Sequence, residues 1–220
     1  IILSLNISVL FADDYYWIGG SGNWSDINHW SKTSGGSVLH IQVPTSEDNV
    51  HFDENSFSGP AQAVTVNTEN AICNNLDWSG ALYVPTFKSE NNNNIRIYGS
   101  VIFIPGMVQD FEGTFTFEST NQDNTIITTG HSFNNHIYFN GVGGSWVLID
   151  SLRVSGNIYL VNGGFYTGNQ KLICSQIIST SATERTLDIS NSLLGIGGWN
   201  IMAEDFEFEA ANSLIRTTGS

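Results

Sequence analysis

The sequence predicts an all-β fold, a right-handed parallel β-helix (solenoid) that begins with a cap rich in tryptophan and glycine. Three observations predict it: short apolar strands between polar turns, a spacing near that of one solenoid coil, and a strand-and-turn motif that recurs far along the chain. The leucine-rich consensus is absent, and no amphipathic helix of about ten residues intervenes. An antiparallel β-sandwich or barrel is the alternative, because many short strands with regular turns fit those folds too.

The composition suits a protein made of many short strands. Charged residues are 13% of the 220 residues, against about 25% in a typical globular protein, while 13 Phe, 7 Tyr and 6 Trp supply a core. The formal net charge is −14, with seven Lys and Arg together. Nucleic acid and anionic lipid both require a basic surface that this chain lacks. We therefore expect no nucleic-acid partner.

The coil spacing is clearest in the second half of the chain. Three strand starts align, at residues 135–137 (NHI), 156–158 (GNI) and 175–177 (SQI), with steps of 21 and 19 residues. Steps of this size are close to one coil of a β-helix. If the three polar positions stack in successive coils, Asn135, Asn157 and Gln176 form a row of hydrogen-bonded amides.

The long-range motif is an FxFE strand followed by a TTG turn. The FxFE elements begin at Phe115 and Phe206, 91 residues apart, and the TTG elements begin at Thr128 and Thr217, 89 residues apart. The second copy reaches Ser220, so the sequence predicts the N-terminal piece of a longer solenoid that continues into further repeats. We expect the last coil to expose apolar strand edges that a further coil would cover.

The chain divides into three predicted segments: 1–12, part of a secretory signal peptide; 13–60, the N-terminal cap; and 61–220, the β-helical region, truncated at its C-terminal end. Residues 1–11 are nearly all apolar and too few to span a bilayer, which suits a signal sequence, with a buried first strand as the alternative. The signal predicts a secreted or outer-surface location and no membrane insertion of the mature chain.

The cap contains Trp17, Trp24 and Trp30, with a glycine-rich stretch at residues 19–22. Terminal repeats of a solenoid must cover an open apolar end, so these rings are expected to close the core. An exposed platform for sugar rings is the alternative. No helix follows residues 19–22, so a turn is expected there rather than a phosphate cradle.

The two cysteines, Cys73 and Cys174, are 101 residues apart, or about five coils. Coils stack about 4.8 Å apart, which places the thiols more than about 20 Å apart and beyond disulfide reach. We expect two separate buried thiols.

The sequence carries no recognised catalytic, cofactor-binding or metal-binding motif. HExxH, CxxC, GxSxG and Walker-type patterns are absent, so no site residues and no cofactor are predicted. Acidic residues concentrate in the cap, and Ca²⁺ is the one cation they suggest, although EF-hand spacing is missing. Turn chemistry and solubility are the simpler interpretation of these acids, which are Asp13, Asp14, Asp26, Asp48, Asp53 and Glu54.

Several stretches resemble large secreted surface proteins of Bacteroidetes-type bacteria. Residues 15–24 (YYWIGGSGNW), 29–31 (HWS) and 44–53 (PTSEDNVHFD) resemble the opening module of those proteins, and residues 133–141, 143–148 and 185–188 look like their filamentous repeats. The resemblance implies a β-helical stalk, export by the type IX route, and a role in adhesion or gliding. The C-terminal sorting domain of such proteins is not within these 220 residues.

Two functional hypotheses follow. The first is a non-catalytic structural or adhesive module of an exported protein, whose partner is a glycan or another cell-surface ligand. The second is a carbohydrate-binding or carbohydrate-active β-helix. Hydrolysis needs two carboxylates, for which Asp110 with Glu112 and Glu118 with Asp123 are the candidates. A lyase needs a basic residue, and the solenoid offers Lys88, Arg96, Arg153 and Lys171. A cleft lined with acids favours the second hypothesis, and a smooth polar face favours the first.

Overall fold

A computed structural model describes residues 12–69 and 71–217. The predicted signal peptide therefore lies almost wholly outside the described residues. Within them one 3₁₀ helix occurs, Ile27–His29, with Asp26 as its N-cap, and the remaining elements are strands. The strands are β1 (Asp14–Trp17), β2 (Gly22–Asn23), β3 (Trp30–Ser31), β4 (Asn49–His51), β5 (Ala63–Val66), β6 (Ala71–Cys73), β7 (Leu76–Asp77), β8 (Thr86–Ser89), β9 (Ile95–Ile97), β10 (Val101–Ile102), β11 (Val108–Asp110), β12 (Phe115–Phe117), β13 (Asn124–Ile127), β14 (Ser132–Phe133), β15 (Ile137–Leu148), β16 (Leu152–Val154), β17 (Ile158–Tyr166), β18 (Lys171–Ser179), β19 (Arg185–Asp188), β20 (Leu193–Ile201), β21 (Phe206–Glu209) and β22 (Leu214–Thr217).

The strands form a parallel β-helix with three faces, and successive strands move from face A to face C to face B. Face A contains β1, β4, β7, β10, β13, the second halves of β15 and β17, β19 and β21. Face B contains β6, β9, β12, the first halves of β15 and β17, and the second halves of β18 and β20. Face C contains β2, β5, β8 and β11, then β14, β16, the first halves of β18 and β20, and β22.

Each face-A strand from β4 to β21 begins a new coil, which gives eight coils, numbered 1 to 8 below. Almost every pairing is parallel to the next coil; the pairing of β1 with β3 is antiparallel. A β-sandwich or antiparallel barrel is excluded by this parallel pairing, and the β-helix prediction is confirmed.

The coil period shortens along the chain. On face A, Val50, Leu76, Val101 and Ile126 are in register, with steps of 26, 25 and 25 residues. On face B, Ile137 pairs with Ile158 and Ile158 with Ile177, which are the predicted steps of 21 and 19. The predicted register of the later coils is therefore confirmed.

One apolar core runs through all the coils. Inward positions alternate with outward ones along each strand, as the burial of β9 (Ile95 and Ile97 inward, Arg96 outward) illustrates. Aromatic rings stack along the axis between coils, for example Phe117 on Phe139 at 5.2 Å and Phe139 on Phe165 at 4.5 Å between ring centroids. Adjacent coils thus bury one another's side chains.

The N-terminal end of this core is closed by tryptophan. Trp17, Trp24 and Trp30 are all fully buried, and Trp30 packs edge-on against the other two. The prediction of core closure is confirmed, and the exposed sugar platform is wrong because none of the three rings is accessible. Gly19 and Gly20 form a turn at positive φ (82° and 74°) beside His29, as expected from glycine.

The two thiols are free and buried on different faces. Cys73 lies on face B and Cys174 on face C. Burial raises the pKa of the Cys174 thiol to about 12 and raises the pKa of Cys73 further. The prediction of two separate core thiols is confirmed.

Within residues 71–217, as the structure describes them, no further coil covers the C-terminal end of the core. Phe208 and Ile215 occupy inward positions, in register with the buried Leu187 and Leu194 of coil 7, yet they are 46% and 39% exposed. The expected exposure of apolar edges is confirmed.

The two FxFE motifs are not equivalent in the solenoid. The first forms β12 on face B and the second forms β21 on face A. The long-range sequence repeat therefore corresponds to two similar strands on different faces, and not to a unit that repeats in the structure.

The predicted row of amides is wrong, because Ile137 pairs with Ile158 and so His136, not Asn135, is level with Asn157. Asn157 and Gln176 precede paired isoleucines on face B, but the Asn157 side chain donates to the Tyr159 hydroxyl, and the Asn135 side chain donates to the Glu112 carbonyl. Amide pairs between coils occur elsewhere: Asn162 donates to Asn140 at 2.7 Å, and Asn212 to Asn191 at 3.3 Å.

Candidate ligand-binding groove on face A

A groove of about 860 Å³ lies on face A, chiefly over coils 5 to 7, and its lining also includes Asp123, just before β13, and Glu207 of β21 in coil 8. Its floor is the second half of β17, and its sides come from β15 and β19. It extends from the corner between faces B and A, at residues 142–145, to the corner between faces A and C, at residues 168–169 and 190–191. A volume of this size is typical of small-molecule and oligomer sites.

Differences in corner length produce the groove. In β15, Asn140 pairs with Asn162 and Ser145 with Gly164, so residues 141–144 bulge outward opposite the single residue Gly163. In coil 6 the same corner is short: residues 161–162 form it, and the register with β15 shifts by one residue at Val161. In coil 7 the corner lengthens again to residues 180–184, between β18 and β19. Because the short corner of coil 6 lies between two longer corners, the surface is recessed there, and this recess forms one end of the groove.

The lining is polar and acidic. It contains four carboxylates, eight amide or hydroxyl side chains, five glycines, two valines and one tyrosine, and its residues include no Lys, Arg or His. The carboxylates are those of Asp123, Glu184, Asp188 and Glu207. The groove is therefore a region of negative potential with many hydrogen-bonding groups.

Tyr166 is the one aromatic side chain of the groove, and a glycine shapes its position. A Cβ atom at Gly164 would lie 2.7 Å from Cε2 of Tyr166 and 3.3 Å from Cβ of Ser145. The tyrosine ring therefore leans over the backbone of Gly164, two residues earlier on the same strand. Any side chain at position 164 would displace the ring.

Hydrogen bonds hold the polar side chains of the groove. Asp188 accepts the backbone amide of Ser190 through Oδ1 at 2.8 Å, and Glu207 accepts the Thr186 hydroxyl through Oε2 at 3.3 Å. At the corner, Ser145 Oγ accepts the amide of Asp123 at 2.9 Å. The carboxylates of Asp188 and Glu207 thus have hydrogen-bond partners that orient them before any ligand binds.

A buried arginine supports one side of the groove. Arg185 points inward from β19, is 1% exposed, and donates to the carbonyl oxygens of Ser179 at 2.9 Å, Thr183 at 2.7 Å and Glu204. Its side chain also lies over the Phe206 ring, 5.4 Å from the centroid. Arg185 is a positioning residue, because it fixes the corner that carries Thr183 and Glu184 into the groove.

The carboxylate pairs that the sequence suggested are not brought together in this groove. Glu118 lies on the face-B side, where its Oε2 is 2.5 Å from Nη2 of Arg96, while Asp123 lines the groove. Asp110 is exposed on β11, and Glu112 accepts the side-chain amide of Asn134 at 3.1 Å. Of these four carboxylates, only that of Asp123 lines the groove.

The four basic residues proposed for a lyase are also elsewhere. Lys88, Arg153 and Lys171 lie on face-C strands and Arg96 on face B. None lines the groove.

The five histidines have structural partners. Three stack on successive side chains of β1: His40 on Tyr15 at 3.5 Å, His51 on Tyr16 at 4.9 Å and His29 on Trp17 at 4.5 Å. His131 lies 2.9 Å from the Ile104 carbonyl oxygen, and His136 Nδ1 accepts the Asn157 amide.

The cap acids serve mainly as turn and strand partners. Asp48 accepts the amide and hydroxyl of Thr45 and the amide of Asp13, and Asp53 accepts the amide of Asn55. Across the residues that the structure describes, no group of three His, Cys, Asp or Glu side chains is placed to hold a metal ion.

One cluster in the cap links three strands of face A. His51 on β4 lies between Asp14 of β1, with Nε2 to Oδ1 at 3.0 Å, and Asp77 of β7, with Nδ1 to Oδ2 at 3.8 Å. The carboxylates of Asp77 and Asp14 raise the pKa of His51. These charged contacts connect β1 to coils 1 and 2, and the three residues Asp14, His51 and Asp77 are called the His51 latch below.

The fold and the groove together define a parallel β-solenoid with a polar, acidic groove on one face. In the described part of the chain, no helix has the length and apolar character needed to cross a membrane. Comparison with known protein families, curated proteins and solved structures found no match.

Sequence reasoning did not single out Tyr166, Asp188, Glu184 or Glu207. One signal was available: the glycine pairs at residues 143–144 and 163–164 are 20 residues apart, which is one coil. Paired glycines at coil spacing indicate a place where side chains are absent from two neighbouring coils.

Proposed function

We propose that this protein is a structural and adhesive module of an exported cell-surface protein, a non-catalytic solenoid that presents a ligand-binding surface. The observation that carries the proposal is the asymmetry of the core, which tryptophan closes at one end and which is open at the other. Such an arrangement suits an elongated structure that starts at the cap and grows by adding coils.

The open end supports continuation into further repeats. Phe208 and Ile215 stand where Leu187 and Leu194 stand one coil earlier, and those leucines are buried by coil 8. A ninth coil in the same register would bury Phe208 and Ile215 in the same way. The parent protein is then a longer solenoid that includes these eight coils.

Surface exposure on intact cells tests the proposal. Cells that express the complete parent gene are treated with a protease that does not enter them, and the chain is detected with antibodies against coils 5 to 8. We expect the chain to be cleaved while a cytoplasmic marker stays intact. Cleavage only after lysis would contradict an exported surface module.

A second candidate function is carbohydrate hydrolysis, favoured by one observation, the four carboxylates in a single groove. Its test is the release of reducing ends from neutral polysaccharides by the wild-type chain and by the double variant Asp188→Asn, Glu207→Gln. Turnover that the double variant abolishes would assign an enzyme. We expect no turnover, because only Asp123 of the two suggested pairs lines the groove and Glu118 is held by Arg96.

A further inference from the structure

The charge of the groove narrows the ligands it accepts. Four carboxylates line it, its lining residues include no basic side chain, and the whole chain carries a formal charge of −14. A phosphorylated, sulfated or uronic ligand would bring like charge into this region without a cation to pair with it. Ligands of this kind are disfavoured, and neutral or cationic ligands remain.

The side chains of the groove suit hydroxyl groups. Ionised carboxylates accept short, strong hydrogen bonds from hydroxyl donors, and Asp188 and Glu207 are already oriented by Ser190 and Thr186. Eight amide and hydroxyl side chains around them add donors and acceptors. Orientation before binding lowers the entropy that a ligand must overcome.

Tyr166 supplies a flat apolar surface among these polar groups. Its ring leans over Gly164 and lines the groove, so an apolar ligand face packs on it while polar groups around it bind the ligand's edge. A ligand with an apolar ring face and a rim of hydroxyl groups matches this arrangement. Such a ligand is a pyranose sugar.

We propose that the groove binds a neutral carbohydrate chain without changing it covalently, with one sugar ring on Tyr166 and hydroxyl groups donating to Asp188 and Glu207. The inference rests on the proposed function, because it names the class of ligand that the solenoid presents. A chain rather than a single sugar is indicated, since the groove crosses the whole of face A and reaches both of its corners.

The rigidity of the groove supports the same conclusion. Its floor and sides are hydrogen-bonded strands of one sheet, and β15 and β17 are in register on both sides of the bulge. Asn162 at the corner donates to Asn140 of the preceding coil at 2.7 Å. Recognition by a preformed surface fits a stiff sugar chain better than a flexible peptide, which would have to be ordered on binding.

The test uses the purified 220-residue chain and three defined probes. These are a set of neutral hexasaccharides (cellohexaose, xylohexaose and mannohexaose), a polygalacturonate oligomer, and a fully deacetylated chitosan hexamer. Binding is measured by calorimetry at 50 and 500 mM NaCl. We expect at least one neutral hexasaccharide to bind with little dependence on salt, and the polygalacturonate oligomer not to bind.

Variants locate the binding in the groove. Tyr166→Ala is expected to weaken neutral-sugar binding about tenfold, from the loss of ring stacking, and Asp188→Asn about fivefold, from the loss of a charge-assisted hydrogen bond. The matched controls are Tyr138→Ala, a tyrosine stacked on Tyr159 on face B, and Asp110→Asn, an exposed acid on β11. The controls should leave affinity unchanged, and thermal unfolding is measured for all four variants.

Two results would overturn the inference. One is binding of the chitosan hexamer alone, lost at 500 mM NaCl, which would assign a cation-binding groove. The other is binding of a neutral sugar that Tyr166→Ala and Asp188→Asn leave intact although both variants remain folded. Neither result bears on protease accessibility at the cell surface, so failure of the ligand class and failure of the proposed function are distinguishable.

Discussion

The two ends of the solenoid use similar residues with opposite results. At the N-terminal end Trp30 is fully buried beneath the other cap aromatics, whereas at the C-terminal end Phe208 is 46% exposed. Phe117 and Phe208 occupy the same position in the two copies of the FxFE motif, yet Phe117 of β12 is fully buried. An inward position on a strand is therefore buried only when another coil or a cap covers it.

The contrast teaches that stability in this fold belongs to contacts between coils. A coil has no core of its own, so each one depends on its neighbours, and the terminal coil has one neighbour where the others have two. The cap takes the place of the missing neighbour at the N-terminal end.

The strongest test of the contrast truncates one aromatic ring at each end. We expect Trp30→Ala to lower the free energy of unfolding by about 3–5 kcal/mol, because it leaves a large cavity among packed rings. Phe208→Ala should cost about 1 kcal/mol or less, since much of its ring is already in water. The free energies are measured by chemical denaturation. The comparison requires that the dependence of the unfolding free energy on denaturant concentration has the same slope in the wild-type chain and both variants.

Phe117→Ala is the internal control for this pair, because it truncates the same motif inside the solenoid. It should resemble Trp30→Ala. An equal loss of stability in Phe117→Ala and Phe208→Ala would show that the last coil is as well packed as the middle, and the contrast between the ends would be broken.

Hydrogen exchange compares the local stability of the middle of the solenoid with that of its C-terminal end, without substitutions. The amide of Leu76 donates to the Ser100 carbonyl and that of Leu214 to the Ser192 carbonyl, both at 2.9 Å. The two bonds are alike, but Leu214 lies in the terminal coil, which opens locally. We expect protection at Leu214 to be at least about 100-fold lower than at Leu76. Equal protection would contradict the open end.

The smallest predicted effect concerns the His51 latch at the closed end. The pKa of His51 is raised by Asp77 and Asp14. The pKa of Asp14 is lowered, chiefly by His51; that of Asp77 is also lowered, because hydrogen bonds from His51 and Ser79 outweigh the effect of its burial. A raised histidine pKa stabilises the fold below about pH 6.5, and this is lost as the pH rises through the folded-state pKa. The carboxylates lose their contribution as the pH falls below about 4.

The latch should therefore stabilise the cap between about pH 4 and 6.5. At pH 5.5 we expect His51→Gln to cost about 0.5–1 kcal/mol, the partial exposure of Asp14 keeping the value small. At pH 9 the charge-dependent part of the cost should vanish, leaving the pH-independent loss of the ring contact with Tyr16. Unfolding midpoints of both proteins across this range are the measurement, with His131→Gln as the control, and a constant difference at every pH would show that the latch does not depend on charge.

The sequence carries most of the fold because a solenoid repeats a short pattern. Ile137, Ile158 and Ile177 each follow a polar residue at coil spacing, so their register was legible. The burial of Cys73 and Cys174 followed from their apolar neighbours. Several strands were not predicted, among them β8, β11, β14 and the nine-residue β20, whose sequence contains three glycines.

The groove and the His51 latch were not predictable from local patterns. Tyr166, Asp188 and Glu207 come from three different coils, and they meet because corners of different length lie next to one another. His51 meets Asp14 and Asp77 because its coil stacks between theirs. The groove and the His51 latch both depend on which residues of different coils lie on the same face. The sequence predicts that alignment only when the length of every coil is known.

The corner between faces B and A has one further consequence. In β17 this corner consists of residues 161–162, whereas in β15, one coil earlier, it contains the bulge of residues 141–144. The strands on either side of the corner remain paired in both coils. An insertion or deletion at this corner changes the outline of the surface but not the ladder that folds the chain, since lengthening an exposed loop costs little free energy. Descendants of this sequence can thus acquire new recognition surfaces by gaining or losing a few codons at one corner, without any change in the residues that build the core.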